Sequence, residues 1–244
     1  MTSRAGVPTV LVYADADALA EATGARFLLA ASDAVALRGR ADLVLTGGTV
    51  GIELLRRAAA SPLAQGVDWT SVHVWWGDER FVAAGSPDRN EGQAQAALLG
   101  SIPLPEENIH RIGATNGFAS AEDAAAAYGD EIASHGSPRW DVALFGMGPD
   151  GHVASLFPGH PAFTAPASAD ALAVHDSPKP PPTRVSLSLA AIGRSREVWV
   201  VAAGAEKASA VAAALRGDMA LPAARIHGSE RTLWLLDAAA ATRI

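Results

Sequence analysis

The chain has 244 residues, of which 49% are hydrophobic and 18% charged, and its formal net charge is −7. This composition argues against disorder and provides enough apolar residues for a large core. The absence of cysteine excludes disulfides, thiol nucleophiles and thiolate metal sites. The acidic balance, with no basic block, argues against nucleic-acid binding but is compatible with a small anionic ligand held by a local group of cations.

No apolar run approaches the roughly 18–20 residues that a membrane span requires. The segment Met1–Val7 lacks the apolar stretch of a secretory signal. We therefore expect a soluble cytoplasmic protein with no membrane partner, folded as one domain over residues 1–244 and present as a monomer or weak homo-oligomer.

Short β-rich runs alternate with longer alanine-rich segments along the chain. Predicted strands are Thr9–Tyr13, Asp42–Leu45, Val72–Trp76, Asp141–Phe145, Ala171–His175, Arg184–Leu187, Val198–Ala202 and Thr232–Leu236. Predicted helices are Ala16–Arg38, Val50–Ala60, Glu91–Leu99, Ala121–Ser134 and Glu206–Leu215, and the proline-rich stretch 177–184 is a predicted loop. This alternation predicts an open, mainly parallel α/β sheet of Rossmann-like type with helices on both faces.

Three predicted strands end in segments with unusual chemistry. The segments are LVLTGGTVG, VWWGDERF and ALFGMGPDGHVASLF. In open α/β sheets, ligands bind beyond the carboxyl ends of the strands. We therefore expect the three segments to form one ligand site.

The first segment contains the double glycine of TGGTVG, residues 46–51. Gly47 and Gly48 would let the backbone approach a ligand, and the N-terminus of the following helix favours a phosphate. The spacing matches neither a dinucleotide fingerprint nor a P-loop. A tight turn with Thr49 as the helix N-cap remains an alternative.

The second segment places Asp78, Glu79 and Arg80 directly after a strand. Three consecutive charges at the end of a buried strand are more than a surface turn requires, which favours a functional role. The alternative is a solvated loop with an internal Asp–Arg ion pair.

The third segment contains Asp150, Gly151 and His152. A histidine with a pKa near 6.5 can accept a proton at neutral pH. Asp150 could accept a hydrogen bond from the backbone N–H of His152 or orient its ring, and Gly151 permits a positive φ. Ser155 follows, but no G-x-S-x-G nucleophile motif surrounds it. A helix-capping aspartate with a structural histidine is the alternative.

Two further cations follow later in the chain. Arg184 opens a strand after the prolines, and Lys207 lies where a strand gives way to a helix. The remaining histidines show no metal-ligand spacing, so no metal site is expected; they are His73, His110, His135, His160, His175 and His227. The residues alone thus predict an α/β enzyme for a small phosphorylated substrate, with His152 as acid or base.

Taken together, the motifs resemble the 6-phosphogluconolactonase family, hydrolases of the oxidative pentose phosphate pathway. The resemblance runs from about Asp42 to the C-terminus. It rests on LTGGTVGIELL, WWGDERFV, DRNEGQAQAALL, GMGPDGHVASLFPG, PPPTRVSLSLAAI and GAEKASAV, in the family's order. It implies the open sheet fold shared with glucosamine-6-phosphate deaminases and ribose-5-phosphate isomerases.

The resemblance also implies a set of site residues. Its catalytic group falls on Asp150, His152 and Arg80. Its substrate- and phosphate-binding group falls on Gly47, Gly48, Thr49, Asp78, Asn90, Arg184 and Lys207. The chain departs from the family at Thr49-Val50-Gly51, where Ser-Thr-Pro is usual, and at Arg89, where serine usually precedes the asparagine.

The implied reaction is hydrolysis of 6-phospho-D-glucono-1,5-lactone, a small phosphorylated sugar lactone, without metal or cofactor. His152 would take a proton from water and pass it to the departing ring oxygen, while Asp150 holds the imidazole. Arg80 would serve either the oxyanion or the phosphate.

Two other functions fit the same fold. Sugar-phosphate deaminases continue the Asp-Gly-His segment with Phe-Asn-Glu-Pro, whose carboxylate assists ring opening, but here Ala154-Ser155-Leu156 follows. A non-catalytic sugar-phosphate sensor would be expected to carry a DNA-binding segment, and none precedes residue 9. Both alternatives are therefore disfavoured.

Overall fold

A computed structural model describes residues 7–164 and 169–244 of the chain. Residues 1–6, on which the expectation of no secretory signal largely rests, lie outside the described residues. Within the described part, none of the helices combines the length and the apolar character needed to cross a bilayer.

The described residues form nine strands and eight α-helices. The strands are β1 (Thr9–Tyr13), β2 (Ala41–Leu45), β3 (Val72–Trp76), β4 (Asp78–Arg80), β5 (Val142–Gly146), β6 (Ala171–Val174), β7 (Arg184–Leu187), β8 (Glu197–Ala202) and β9 (Arg231–Asp237). The helices are α1 (Ala16–Arg38), α2 (Thr49–Ala60), α3 (Asn90–Ala97), α4 (Ala121–Ser134), α5 (Pro161–Thr164), α6 (Leu189–Ile192), α7 (Ala208–Leu215) and α8 (Pro222–Arg225).

Six strands form one parallel sheet in the order β1-β9-β8-β5-β2-β3. Every residue of the inner strand β2 is buried, because helices cover both faces of the sheet. The run ADLVL is almost continuously apolar for this reason. The predicted open, mainly parallel sheet is confirmed.

The other three strands form a separate antiparallel sheet in the order β4-β7-β6. The sequence predicted both β6 and β7 as strands, but it did not indicate that they belong to a second, antiparallel sheet. A loop without a helix joins them, so they pair as antiparallel neighbours. The charged strand β4 has no apolar pattern, and it is not among the strands predicted from the sequence.

Buried Glu79 of β4 ties the small sheet to the start of α3. Its carboxylate accepts hydrogen bonds from the backbone N–H groups of Asn90 at 2.7 Å, Glu91 at 2.9 Å and Arg80 at 2.9 Å. Burial raises the pKa of Glu79 to about 7, against the opposing charge of Arg89 and these donors. The carboxylate satisfies N–H groups that a helix N-terminus leaves without intrahelical partners. It therefore fixes Asn90 beside Arg80.

Replacing Glu79 should destabilise the fold. Glu79→Ala leaves three backbone donors without their acceptor, and each lost hydrogen bond costs about 1 kcal/mol. We expect the free energy of unfolding to fall by about 2–3 kcal/mol in urea titrations. Exposed Glu107 supplies the control, because Glu107→Ala should change it by less than about 0.5 kcal/mol. Equal stability of the two variants would contradict this role.

Candidate active site

The three segments singled out in the sequence meet around one cavity of about 240 Å³. The cavity lies beyond the carboxyl ends of β2 and β5, as expected for an open parallel sheet. Every residue expected to act in catalysis or substrate binding contributes to its wall or, in the case of Asp150, contacts a wall residue. The wall residues are Thr46, Gly47, Gly48, Thr49, Val50, Asp78, Arg80, Asn90, Gly146, Met147, Gly148, Pro149, His152, Ala154, Lys179, Arg184 and Lys207.

The N-terminus of α2 forms one side of the cavity. The N-cap is Gly48 and not Thr49, and no side chain caps the helix. The alternative in which Thr49 is the N-cap is therefore wrong. The backbone N–H groups of the first turn have no intrahelical partner, and the helix dipole gives them positive character. The N-terminus of α2 can therefore donate hydrogen bonds to an anionic oxygen.

His152 and Asp150 form a side-chain pair at the opposite wall. The Nδ1 atom of His152 lies 2.5 Å from Oδ1 of Asp150. Asp150 therefore orients the ring of His152 and does not accept a hydrogen bond from its backbone N–H. Gly151 has a φ of +80°, which confirms the expected left-handed turn. Among residues 7–164 and 169–244, no hydrogen-bond partner faces the other ring nitrogen, Nε2. A proton on Nδ1 therefore leaves Nε2 free to accept one.

Burial and the neighbouring charges together set the protonation of this pair. It lowers the pKa of His152, against the raising effect of Asp150, and Lys179 lowers that pKa further. For Asp150, burial raises the pKa, but the hydrogen bond and charge of His152 and the charge of Lys179 outweigh it and hold the pKa below its usual value. The pair is therefore a neutral imidazole and a carboxylate at neutral pH.

Lys179 is a site residue that the sequence patterns missed. Its Nζ atom lies 3.3 Å from Nδ1 of His152 and 3.8 Å from Oδ1 of Asp150. It belongs to the proline-rich loop 177–184, whose composition suggested only a connection. The position of a lysine five residues before Arg184 was the available indication. Lys179 and Lys207 are the only lysines in the chain, and both line the cavity.

Arg184 is buried, unlike an ordinary surface cation. Its guanidinium donates to the carbonyls of Lys179 at 3.0 Å, Pro180 at 3.2 Å and Pro181 at 3.1 Å. One terminal nitrogen lies 3.9 Å from Oδ2 of Asp78. Arg184 thereby holds the loop that carries Lys179 against His152.

Asp78 is also buried, with an exposed fraction of 6%. It accepts a hydrogen bond from the hydroxyl of Ser155 at 2.7 Å, and its backbone carbonyl accepts one from the amide of Asn90 at 2.8 Å. The solvated loop with an Asp–Arg pair is therefore the wrong alternative. Asp78 pairs with Arg184 of the neighbouring strand.

Arg80 and Asn90 stand together beside the glycine loop. Arg80 donates to the side-chain oxygen of Asn90 and, at 2.9 Å, to the carbonyl of Asp88. Its buried Nε atom has no partner among the described residues. Arg89 instead donates to Glu91 at 2.8 Å and to the carbonyl of Ile112 at 2.6 Å, away from the cavity. Of the sequence neighbours Arg89 and Asn90, only Asn90 contributes to the wall.

Lys207 completes the cationic wall after β8. Burial lowers the pKa of Lys207, while the charges of Glu206 and Asp237 act in the opposite direction. The wall thus carries four cationic side chains and one carboxylate, that of Asp78. Because Arg80 and Arg184 are direct cross-strand partners, their repulsion favours an anion between them.

A larger cavity of about 650 Å³ lies beside α7, α8 and β9. Its lining is mainly apolar, and Arg225 is its one arginine or lysine among the described residues. It therefore lacks the converging charges and the acid–base pair of the smaller cavity.

Comparisons with known proteins agree with this geometry. Residues 14–234 match the family model described as glucosamine-6-phosphate isomerases/6-phosphogluconolactonase. The chain is 48% identical to 6-phosphogluconolactonase of Streptomyces coelicolor, over 97% of this chain and 95% of the relative. It is 45% identical to that of Mycobacterium tuberculosis, over 97% and 98%.

A solved structure extends the agreement to three dimensions. The structure of 6-phosphogluconolactonase from Trypanosoma brucei superposes with a TM-score of 0.83 at 29% identity, covering 97% of this chain and 98% of that chain. The matched family model covers β2, β3, β5, β8 and the first part of β9, together with every wall residue of the cavity, but not β1. The chain therefore belongs to the glucosamine-6-phosphate isomerase/6-phosphogluconolactonase family.

Proposed function

We propose that the protein is an enzyme that hydrolyses 6-phospho-D-glucono-1,5-lactone to 6-phospho-D-gluconate in the pentose phosphate pathway. The observation that carries the proposal is the His152–Asp150 pair on the wall of a cavity with four cations. The names of the relatives support the same substrate. The cytoplasmic location, the lack of a nucleic-acid partner and the monomeric or weakly oligomeric state stay predictions from the sequence.

His152 acts as general base in this proposal. Its Nε2 atom takes a proton from water as the water oxygen bonds to the lactone carbonyl carbon. When the bond from that carbon to the ring oxygen breaks, the imidazolium returns the proton to the ring oxygen. The products are the carboxylic acid and the freed hydroxyl group. Asp150 orients the imidazole and stabilises its charged form, and Lys179 keeps the resting imidazole neutral.

The cations and the N-terminus of α2 hold the phosphate. Arg80 contacts Asn90, which lies against the backbone of Gly47, so we assign Arg80 to the phosphate rather than to the oxyanion. Lys207 adds a charge from the other side. Asp78 would repel a phosphate, and we assign it the role of positioning Arg184.

The removal of His152 tests the mechanism. His152→Ala should lower kcat with 6-phosphogluconolactone by roughly 10²–10⁴, because the general base is lost. KM and the melting temperature should change little, since the ring is at the cavity wall. A folded variant with near-normal kcat would remove His152 from the mechanism.

The wild-type protein, assayed in parallel, should not convert glucosamine 6-phosphate. EDTA should leave its kcat with 6-phosphogluconolactone unchanged.

The pH dependence gives a second measurement on the same residue. Only the neutral imidazole accepts a proton, and burial lowers the pKa of His152. The rate should thus be complete at neutral pH and fall with acid only below about 6.5. Lys179→Met removes a charge that lowers this pKa, so its acid limb should move to higher pH. An unmoved limb would show that Lys179 does not act on His152.

Lys207 should affect affinity more than turnover. A charge-assisted contact to phosphate contributes about 1.5–3 kcal/mol, so Lys207→Ala should raise KM roughly tenfold to a hundredfold. The preference for the phosphorylated over the unphosphorylated lactone should fall by a similar factor. Lys207 immediately precedes helix α7 and exposed Arg216 immediately follows it, so Arg216 is the control. Arg216→Ala should alter neither KM nor the preference for the phosphorylated lactone. Unchanged preference in the Lys207 variant would place that residue outside the phosphate site.

Gly148 should be essential for the position of the imidazole. A Cβ atom at this residue would collide with the ring of His152 and the carboxylate of Asp150. Gly148→Ala should therefore lower kcat at least about tenfold, as expected for a displaced catalytic group. Gly129 lies in α4 with open space at its Cβ position, and Gly129→Ala should leave kcat unchanged. Equal activity of the two variants would contradict the placement.

A further inference from the structure

Three histidines that are scattered along the sequence meet at the open edge of the main sheet. His73 lies on edge strand β3, His110 follows in a loop that bonds to β3, and His135 ends α4. Glu131, one helical turn before His135, completes the group. Motif spacing could not indicate it, because the residues come from three separate elements.

The four side chains are in direct contact. Nδ1 of His110 lies 2.7 Å from Oε1 of Glu131, and Nδ1 of His135 lies 3.5 Å from the same oxygen. Nε2 of His110 lies 2.9 Å from Nδ1 of His73. One ligand atom from each of His110, Glu131 and His135 falls within 4.8 Å of the others.

We propose that His110, Glu131 and His135 bind a divalent transition-metal ion of the zinc class, at a site separate from the lactone cavity. Two imidazoles and one carboxylate are a ligand set that zinc takes, with bonds of about 2.0–2.2 Å. Ligand atoms around a tetrahedral ion then lie about 3.4 Å apart. The His135–Glu131 separation already has this value, and the His110–Glu131 separation needs to open by less than about 1 Å.

The charge of the cluster favours a cation. Within the described residues, both ion-pair partners of Glu131 are histidines, and neither Lys nor Arg neutralises it. A divalent ion would supply the missing positive charge.

His73 has the position of a supporting residue. Metal-bound histidines usually donate their other ring N–H to a neighbour, which fixes the tautomer. Without an ion, Nδ1 of His110 donates to Glu131, and when an ion replaces that proton, Nε2 of His110 can donate to Nδ1 of His73 in this arrangement. Trp75 stacks on His110 with ring centroids 3.8 Å apart and holds its plane.

Access and location complete the argument. The side chains of Glu131 and His135 are 42% and 29% exposed, so an ion can enter from solvent and keep a water ligand. His73 is the second residue of β3, whereas the lactone cavity follows the carboxyl ends of β2 and β5. The ion would therefore join β3, the His110 loop and α4 without taking part in hydrolysis.

The test is a titration of untagged, metal-stripped protein with Zn²⁺ by calorimetry and with Co²⁺ by visible absorption. We expect one equivalent to bind, with a Co²⁺ spectrum typical of four-coordination. A hundredfold excess of Zn²⁺ over Kd should raise the melting temperature by about 5–10 °C. Activity on the lactone should be the same with and without the ion.

Variants locate the ion. His135→Ala and Glu131→Gln, both at partly exposed positions, should weaken binding at least about tenfold, and the outer variant His73→Phe about 10–100-fold. His175 lies 2.6 Å from Glu122, which belongs to α4 as Glu131 does. His175→Ala is therefore a matched control that should bind the ion normally. Absence of stoichiometric binding, or equal binding by His135→Ala and the control, would overturn the proposal.

Discussion

The buried guanidinium of Arg184 determines the shape of the lactone cavity. A buried cation is tolerated only when its donors are matched, and Arg184 is matched by three loop carbonyls and by Asp78. Those bonds curl the proline-rich loop back so that Lys179 reaches the imidazole. Phe157 lies between the imidazole of His152 and the guanidinium of Arg184. Its ring is 4.6 Å from the imidazole ring and 5.8 Å from the guanidinium. Arg184 thus supports both the groups that we propose bind the phosphate and those that we propose transfer the proton.

The charge arrangement that suits an anionic substrate opposes the folding of the free protein. Opposed arginines on β4 and β7 repel each other, and one carboxylate does not balance four cations. The small sheet tolerates this because Glu79 fastens β4 to α3 and Asp78 neutralises part of the charge. A bound phosphate relieves the repulsion, so substrate affinity and the stability of the small sheet are coupled.

Regular periodicity made the main sheet predictable, whereas long-range side-chain contacts did not appear in the pattern. The apolar run of β2 predicted the parallel sheet, and the motif around His152 predicted the contact between His152 and Asp150. The charged strand β4 carries no apolar alternation, so the second sheet was missed. The sequence did not indicate Lys179, because the composition of a proline-rich loop does not show where its side chains lie. It did not indicate the histidine cluster either, because its members come from separate elements.

The confinement of both lysines to the cavity has a chemical consequence. A δ-lactone is an acylating agent, and an uncharged amine that attacks its carbonyl becomes a stable amide. A chain that binds such a compound at every turnover is exposed to modification by its own substrate. Arginine provides nearly all the other positive charge, and its guanidinium stays protonated and poorly nucleophilic. Burial lowers the pKa of Lys207, and the charges of Glu206 and Asp237 limit this effect. The lysine-poor surface thus offers the electrophile few side-chain amines to attack.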